Sequence, residues 1–384
     1  MRATARKEQG RTHAPQSYVV APPDTLLFIS IASLVAIGLV MIFSASSAQA
    51  YADHHDTAYY VKHQLVYLLV GLLLAAAAYQ IDYRKLKSAA PYGLLLCILG
   101  LIAVLIPHVG VVVNGARRWV GAGMISLQPS EFAKLGLVVY LAAVLSVRGD
   151  RITSLVRGLF PLCLLVFFMA LLVLMEPDMG TASLLVFTAF AMFFAAGARI
   201  EHLFMIAMVT LPPTVLMILA SPYKRARIFA FLNPWKDPQN TGFHIVQSLL
   251  ALGSGGLFGV GLGESRAKFF YLPEQYTDFI FSVLGEELGL FGTVTVIVLF
   301  VVFAYRAIRI AVAAPDRFGF FLAAGCTALI VIQAFVNIGV VTSSWPVTGV
   351  PLPFISFGGS SLIISLIAVA LIMNVGRHRR VNLQ

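Results

Sequence analysis

The stretch YLPEQYTDFIFSVLGEELG, residues 271–289, carries four carboxylates, Glu274, Asp278, Glu286 and Glu287, in a chain of which only 11% is charged. A carboxylate at the edge of an apolar run can stay ionised and take a proton from a substrate hydroxyl, the part of a general base. One set deep in apolar surroundings costs several kcal/mol unless it is paired, protonated or facing water. Pro273 and Thr277 suit a helix start with Thr277 as N-cap, which puts Asp278 in the first turn. Glu286 and Glu287 then lie about 12 to 14 Å deeper, at about 80° and 180° around the helix from Asp278, so the four do not converge. Asp278 reads as the functional group, Glu286 and Glu287 as internal pairing that holds helices together, and Glu274 as a loop residue shaping the entrance.

Other polar groups belong with these. EPDMGTA places Glu176 and Asp178 in a turn. QPSEFAK places Glu131 and Lys134 at i and i+3 on one helix face, where they can pair. Arg117 and Arg118, beside Asn114 and Trp119 in NGARRWV, offer paired donors to a phosphate and an indole face to a sugar. Trp at a membrane interface is common without any ligand, so Trp119 alone says little. Lys224 and Arg225 add cations further on. Carboxylates, guanidinium groups and aromatics together suit an amphiphile with a phosphate-bearing headgroup and a tail left in the bilayer.

The elements that must position these residues are legible as apolar runs of about 18 to 25 residues, long enough to cross a hydrocarbon core about 30 Å thick. With 59% hydrophobic residues and a mean hydropathy of +0.88, the chain reads as an all-α polytopic membrane protein. Ten spans are expected, over 24–47, 61–80, 90–107, 129–147, 158–175, 180–198, 202–220, 277–304, 317–341 and 357–375. Most of the 27 Lys and Arg fall on alternate connecting segments, which by the positive-inside rule puts both termini in the cytoplasm. Residues 1–23 read as a cytoplasmic basic tail and 377–384 as a second one. The net charge of +10 is scattered in small clusters without a basic tract, which argues against nucleic acid as a partner. Cys97, Cys163 and Cys326 lie inside apolar runs with no metal or disulfide spacing.

The remaining cations concentrate in two outward-facing segments, 108–128 and 221–276. The second is not featureless. SPYKRARIFAFLNPW reads as a short amphipathic helix stopped by Pro234, and GFHIVQSLLALGSGGLFGVGLG as a helix followed by a glycine-rich turn. A loop so apolar is expected to fold back on the membrane surface.

NGARRWV, QPSEFAK, EPDMGTA, QSLLALGSGGLFGVGLG, YLPEQYTDFIFSVLGEELG and TGVPLPFISFGGSSL occur in the order and spacing of the SEDS proteins (shape, elongation, division and sporulation), and the chain resembles that family over about residues 24–376. NGARRW and LPFISFGGSS are closest to its division branch. Phe43 and Tyr276 stand where Tyr and His are more usual. The resemblance implies a peptidoglycan glycosyltransferase of the bacterial inner membrane, acting at the septum. It would polymerise lipid II onto a growing lipid-linked glycan strand, beside a class B penicillin-binding protein and other divisome proteins. It implies Asp278 as the essential aspartate, Arg117, Arg118 and Trp119 as the family's arginine–tryptophan loop, and Glu176 and Asp178 as its acidic turn.

Such a reaction needs one base. Replacing an α-linked diphosphate by a β-linked sugar in one displacement inverts the centre without a covalent intermediate, and Arg117, Arg118, Lys224 and Arg225 would stabilise charge on the leaving group. A divalent cation, Mg or Mn, could share that role, although the sequence shows no dedicated site. The rival is a lipid II flippase or other transporter, which would place its key charges near mid-membrane. Glu286 and Glu287 are what support it.

Overall fold

The computed structural model describes residues 22–378, apart from 108, 114–115, 123–124, 267 and 269–271. Most of the expected amino-terminal tail, and residues 379–384 of the carboxyl-terminal one, lie outside the described residues.

The apolar runs form ten helices in the expected order. They are α1 (Thr25–His54), α2 (Tyr59–Gln80), α3 (Arg84–Leu105), α4 (Pro129–Arg148), α5 (Phe160–Met175), α6 (Met179–Ala195), α7 (Ile200–Ala220), then, after α8 and α9 described below, α10 (Ile280–Val312), α11 (Arg317–Val341) and α12 (Gly359–Arg377). Eight apolar helices among the described residues are long enough to cross a membrane, α5 together with the π-helical turn Leu155–Leu159 that leads into it, while α6 and the apolar part of α7 fall just short. The core sits on α11 and α12, the most enclosed of these, whereas α2 and α3 turn most of their surface outward. That outer surface is Leu, Val, Ile and Phe, as a lipid-facing surface must be. At the end away from Asp278, Asp24 caps α1 through Leu27 N–H and pairs with Arg306 of α10 at 2.5 Å.

The connections carry structure too. Residues 108–128 hold a three-stranded antiparallel sheet, β1 (Val111–Val113), β2 (Ala116–Ala122) and β3 (Ile125–Leu127), with Val111 opposite Trp119 and Val120 opposite Leu127. Residues 221–276 hold α8 (Pro222–Leu232) and α9 (Phe243–Ser254), followed by the glycine-rich stretch.

The eighth span differs from the continuous helix expected over 277–304. It begins at Ile280 and breaks at Gly289, whose φ of 65° and ψ of −159° no helix contains. A break inside a membrane frees backbone groups that lipid cannot satisfy. Here the glycine-rich stretch satisfies them reciprocally. Val260 and Gly261 N–H donate to the carbonyls of Glu286 and Glu287 at 3.0 and 3.1 Å, and Leu290 and Phe291 N–H donate to the carbonyls of Gly256 and Leu257 at 2.9 and 3.2 Å. Two backbones approach this closely only without side chains: a Cβ on Gly259 would stand 2.1 Å from the Glu287 carbonyl oxygen, and one on Gly255 1.9 Å from that of Gly285.

Candidate active site

Asp278 lies in a tight turn ahead of α10, not in its first helical turn. Thr277 is not the N-cap: its N–H and that of Phe279 both donate to the Glu274 carbonyl at 3.2 Å, and its hydroxyl donates to Glu274 Oε2 at 2.9 Å. Glu274 tolerates a φ of 54° to make this turn, and its side chain stays exposed at the rim.

The segment between α11 and α12, 342–358, holds the turn from behind. Ser356 hydroxyl accepts from Leu352 N–H at 2.8 Å and donates to the Thr277 carbonyl at 2.6 Å. Phe357 N–H donates to the Tyr276 carbonyl at 2.9 Å. Asn337 of α11 donates from one amide nitrogen to the carbonyls of both Asp278 and Val350, at 2.8 and 2.7 Å. Gly349, at a φ of 72°, brings its backbone against the carboxylate, where a Cβ would stand 3.4 Å from Asp278 Oδ2. The TGVPLPFISFGG motif is therefore the cradle of Asp278, and no spacing in the sequence announces that.

The charged groups around Asp278 come from three more elements. Burial, then the Glu274 and Asp178 carboxylates, push its carboxyl up to about 7, against the pull of Arg227 and Arg118. This corrects the expectation of a surface group needing no burial, since Asp278 is half-buried. Arg227 stands on α8 and donates to the Val347 carbonyl at 3.3 Å. Among the α8 cations the sequence pointed to Lys224 and Arg225. Arg225 is exposed, and the Lys224 side chain lies outside what is described. Only the phase of α8, which its packing fixes, selects Arg227. His244 of α9, also unmarked in the sequence, stacks its ring on Phe279 at 5.8 Å and buries Nδ1 without a hydrogen-bond partner.

The acidic turn divides. Asp178 caps α6, accepting from Thr181 N–H and hydroxyl at 2.9 Å each and from Gln128 Nε2 at 3.1 Å. Glu176 is fully buried with neither carboxylate oxygen hydrogen-bonded, and burial reinforced by Asp178 pushes it up to about 8, against Arg118. It is out of a ligand's reach in this conformation. Arg118, on β2, reaches the carbonyls of Glu176 and Pro177 at 2.9 and 2.5 Å and ties the loop sheet to this turn. Arg117 on the same strand is exposed and Trp119 half-buried.

The other four candidates are inside the bundle. Lys134 stands 2.9 Å from the Glu131 carboxylate and donates to Gln333 of α11 at 2.7 Å, and Gln333 passes on to the Pro351 carbonyl at 2.9 Å and Ser361 at 3.1 Å. Glu286 accepts from the Ser265 hydroxyl and from Arg266 N–H, anchoring the loop after the glycine-rich stretch. Glu287 accepts from Ser44 of α1 at 2.6 and 2.8 Å.

A family model described as "Cell cycle protein", spanning FtsW, RodA and SpoVE, matches residues 24–381. The chain belongs to this SEDS family. Stage V sporulation protein E of Bacillus subtilis is 46% identical over 358 residues, 93% of this chain and 98% of that one. A probable peptidoglycan glycosyltransferase FtsW of Trichlorobacter lovleyi is 44% identical over 356 residues, 93% of each chain. The crystal structure of Thermus thermophilus RodA superposes with a TM-score of 0.70 at 30% identity, covering 94% of this SEDS protein and 98% of RodA. A chain of a peptidoglycan synthase complex, solved for its structural coordination of polymerization and crosslinking, gives 0.75 at 31% identity, covering 92% of this chain and 98% of that one.

Proposed function

We propose that this SEDS protein is a peptidoglycan glycosyltransferase that polymerises lipid II, with Asp278 as general base. The observation that carries it is Asp278 itself: a half-buried carboxylate, cradled through its backbone and raised to about 7, facing other carboxylates and two arginines. A base works best when its pKa lies near the working pH, and the raised Asp278 carboxyl falls in that range.

The 4-hydroxyl oxygen of the incoming lipid II attacks the anomeric carbon of the lipid-linked strand. Its proton passes to the Asp278 carboxylate as the carbon–oxygen bond to the polyprenyl diphosphate breaks, and the centre inverts. Arg118 and Arg227 supply positive charge beside Asp278, where the departing diphosphate gains negative charge; the exposed Arg117 and Arg225 extend that field outward. The partly buried Trp119 offers a face to a sugar. Among the described residues no group of three acidic, His or Cys side chains converges to hold a metal ion.

The transport reading rested on Glu286 and Glu287, and both are engaged with protein groups next to the Gly289 break. We assign the Asp278 end to the outer face of the inner membrane, where a class B penicillin-binding protein would crosslink the product; the likeness to a peptidoglycan synthase complex that coordinates polymerization and crosslinking supports such a partner. The loop motifs support a septal role among other divisome proteins. A sporulation protein and an FtsW match at similar identity, so depletion of the native gene during division, with and without sporulation, is the experiment that separates the two roles. For the activity, the purified protein with its transpeptidase is given lipid II in detergent. Glycan polymer is expected; transfer of lipid II across vesicles without polymer would replace this reading by transport.

A further inference from the structure

The segment YADHHDTAYY, between α1 and α2, has no part in the chemistry above, yet its rings are ordered against one another. His54 and Tyr59 stack at 3.6 Å between centroids and 14° between planes, and Tyr59 meets Tyr60 edge-on at 5.3 Å. Tyr60 lies on Tyr276 at 4.4 Å, and both pack on Phe357. Tyr276 is two residues from Asp278, about 7 Å along the chain at most. The run of rings is thus continuous with the turn that holds the base.

We infer that this ledge is a carbohydrate subsite that seats pyranose rings of the glycan strand next to Asp278. The inference rests on the glycosyltransferase reading and deepens it. A pyranose offers a C–H face to an aromatic ring and hydroxyls at its rim, so it needs a flat ring face flanked by a strong acceptor. The ledge has both. His54 is exposed and Tyr59 half-exposed, and Asp53 beside them is exposed, close enough to Tyr276 to act on its hydroxyl electrostatically. The rings are held by mutual stacking, so a sugar meets a surface with little side-chain freedom left to lose. Rings that only mark a membrane interface dip singly into the headgroups and need neither the carboxylate nor the stack leading to Asp278.

The test uses the full-length protein in nanodiscs and, as probe, a soluble uncrosslinked peptidoglycan octasaccharide, with binding followed by saturation-transfer NMR and titration. His54→Ala/Tyr59→Ala is expected to weaken binding about tenfold, as loss of a stacking face does. Tyr92→Ala, which removes an exposed ring on α3, is expected to bind as wild type does. Equal binding by the double variant, or no binding by wild type, overturns the subsite. With lipid II and the transpeptidase, the double variant is expected to release shorter strands, and strands of unchanged length count against the subsite. A wild type that binds the octasaccharide through the ledge but makes no polymer would leave the subsite standing and remove the glycosyltransferase reading.

Discussion

Asp278 weighs against the fold it belongs to. Its carboxyl, ordinarily near 3.8, is raised to about 7, so the folded chain holds the proton more tightly than the unfolded one. Below about pH 3 both states are protonated and nothing is lost; about one pH unit above 7 the folded state carries nearly the full cost of the buried charge. Asp278→Asn is therefore expected to raise stability at pH 8 by about 1–2 kcal/mol, allowing for water at its open side, and to leave it unchanged at about pH 3. Thermal melting in detergent at the two pH values checks this. The same shift predicts polymerisation that rises with pH through about 7. Since Glu274 raises Asp278 and Arg227 lowers it, Glu274→Gln should move that limb to lower pH and Arg227→Gln to higher pH, and the paired pH–rate profiles give the sign directly. At this scale the sequence was half legible. A carboxylate at the end of an apolar run is conspicuous in any polar-poor chain, whereas Arg227 is one of three cations within four residues and only the rotation of α8 distinguishes it.

The elements position the base through backbone groups, which leave no trace in side-chain patterning. Asn337 joins α11, the Asp278 turn and the 342–358 segment with one amide nitrogen, and its sequence context, QAFVNIGVV, reads as an ordinary span. Asn337→Ala leaves two buried carbonyls without that donor, and the resulting displacement of Asp278 should lower kcat by on the order of 10- to 100-fold with KM little changed. Steady-state kinetics on lipid II separate the two. The ten helices were readable because crossing hydrocarbon demands length and apolarity, and α8 and α9 because Pro234 and the glycines mark their ends. The break in α10 was not. Gly289 sits in EELGLFG, where a single glycine is tolerated by an unbroken helix, and the groups that complete the break lie near Gly256–Gly261, remote in sequence. Gly289→Ala forces a side chain into a φ of 65° with the Gly259 nitrogen 2.4 Å from its Cβ. A loss of at least about 1–3 kcal/mol is expected, seen as a lower melting temperature.

Across the whole molecule, polar groups follow one gradient. The Asp278 end gathers the loop sheet, α8, α9 and the 342–358 segment, while the opposite end is closed by ion pairs such as Asp24–Arg306. Between them, Glu131–Lys134–Gln333 and Glu287–Ser44 satisfy buried charges within the bundle, so that the enclosed α11 and α12 form a fixed floor under the site. The Glu131–Lys134 pair was visible at i, i+3; Gln333, 199 residues away from Lys134, was not, because no local period encodes a contact between distant helices. The proposed orientation rests on the charge bias of the connecting segments. On a cysteine-free background, Thr57→Cys at the Asp278 end should react with an impermeant maleimide in intact cells, and Ser88→Cys at the other end only after permeabilisation. The proposed mechanism rests on one proton transfer to Asp278. The measurement that tests it most directly is the rate of lipid II polymerisation by Asp278→Asn with its transpeptidase, in a preparation that melts no lower than wild type. A fall of about 100-fold or more is predicted. A rate equal to wild type would contradict Asp278 as the base.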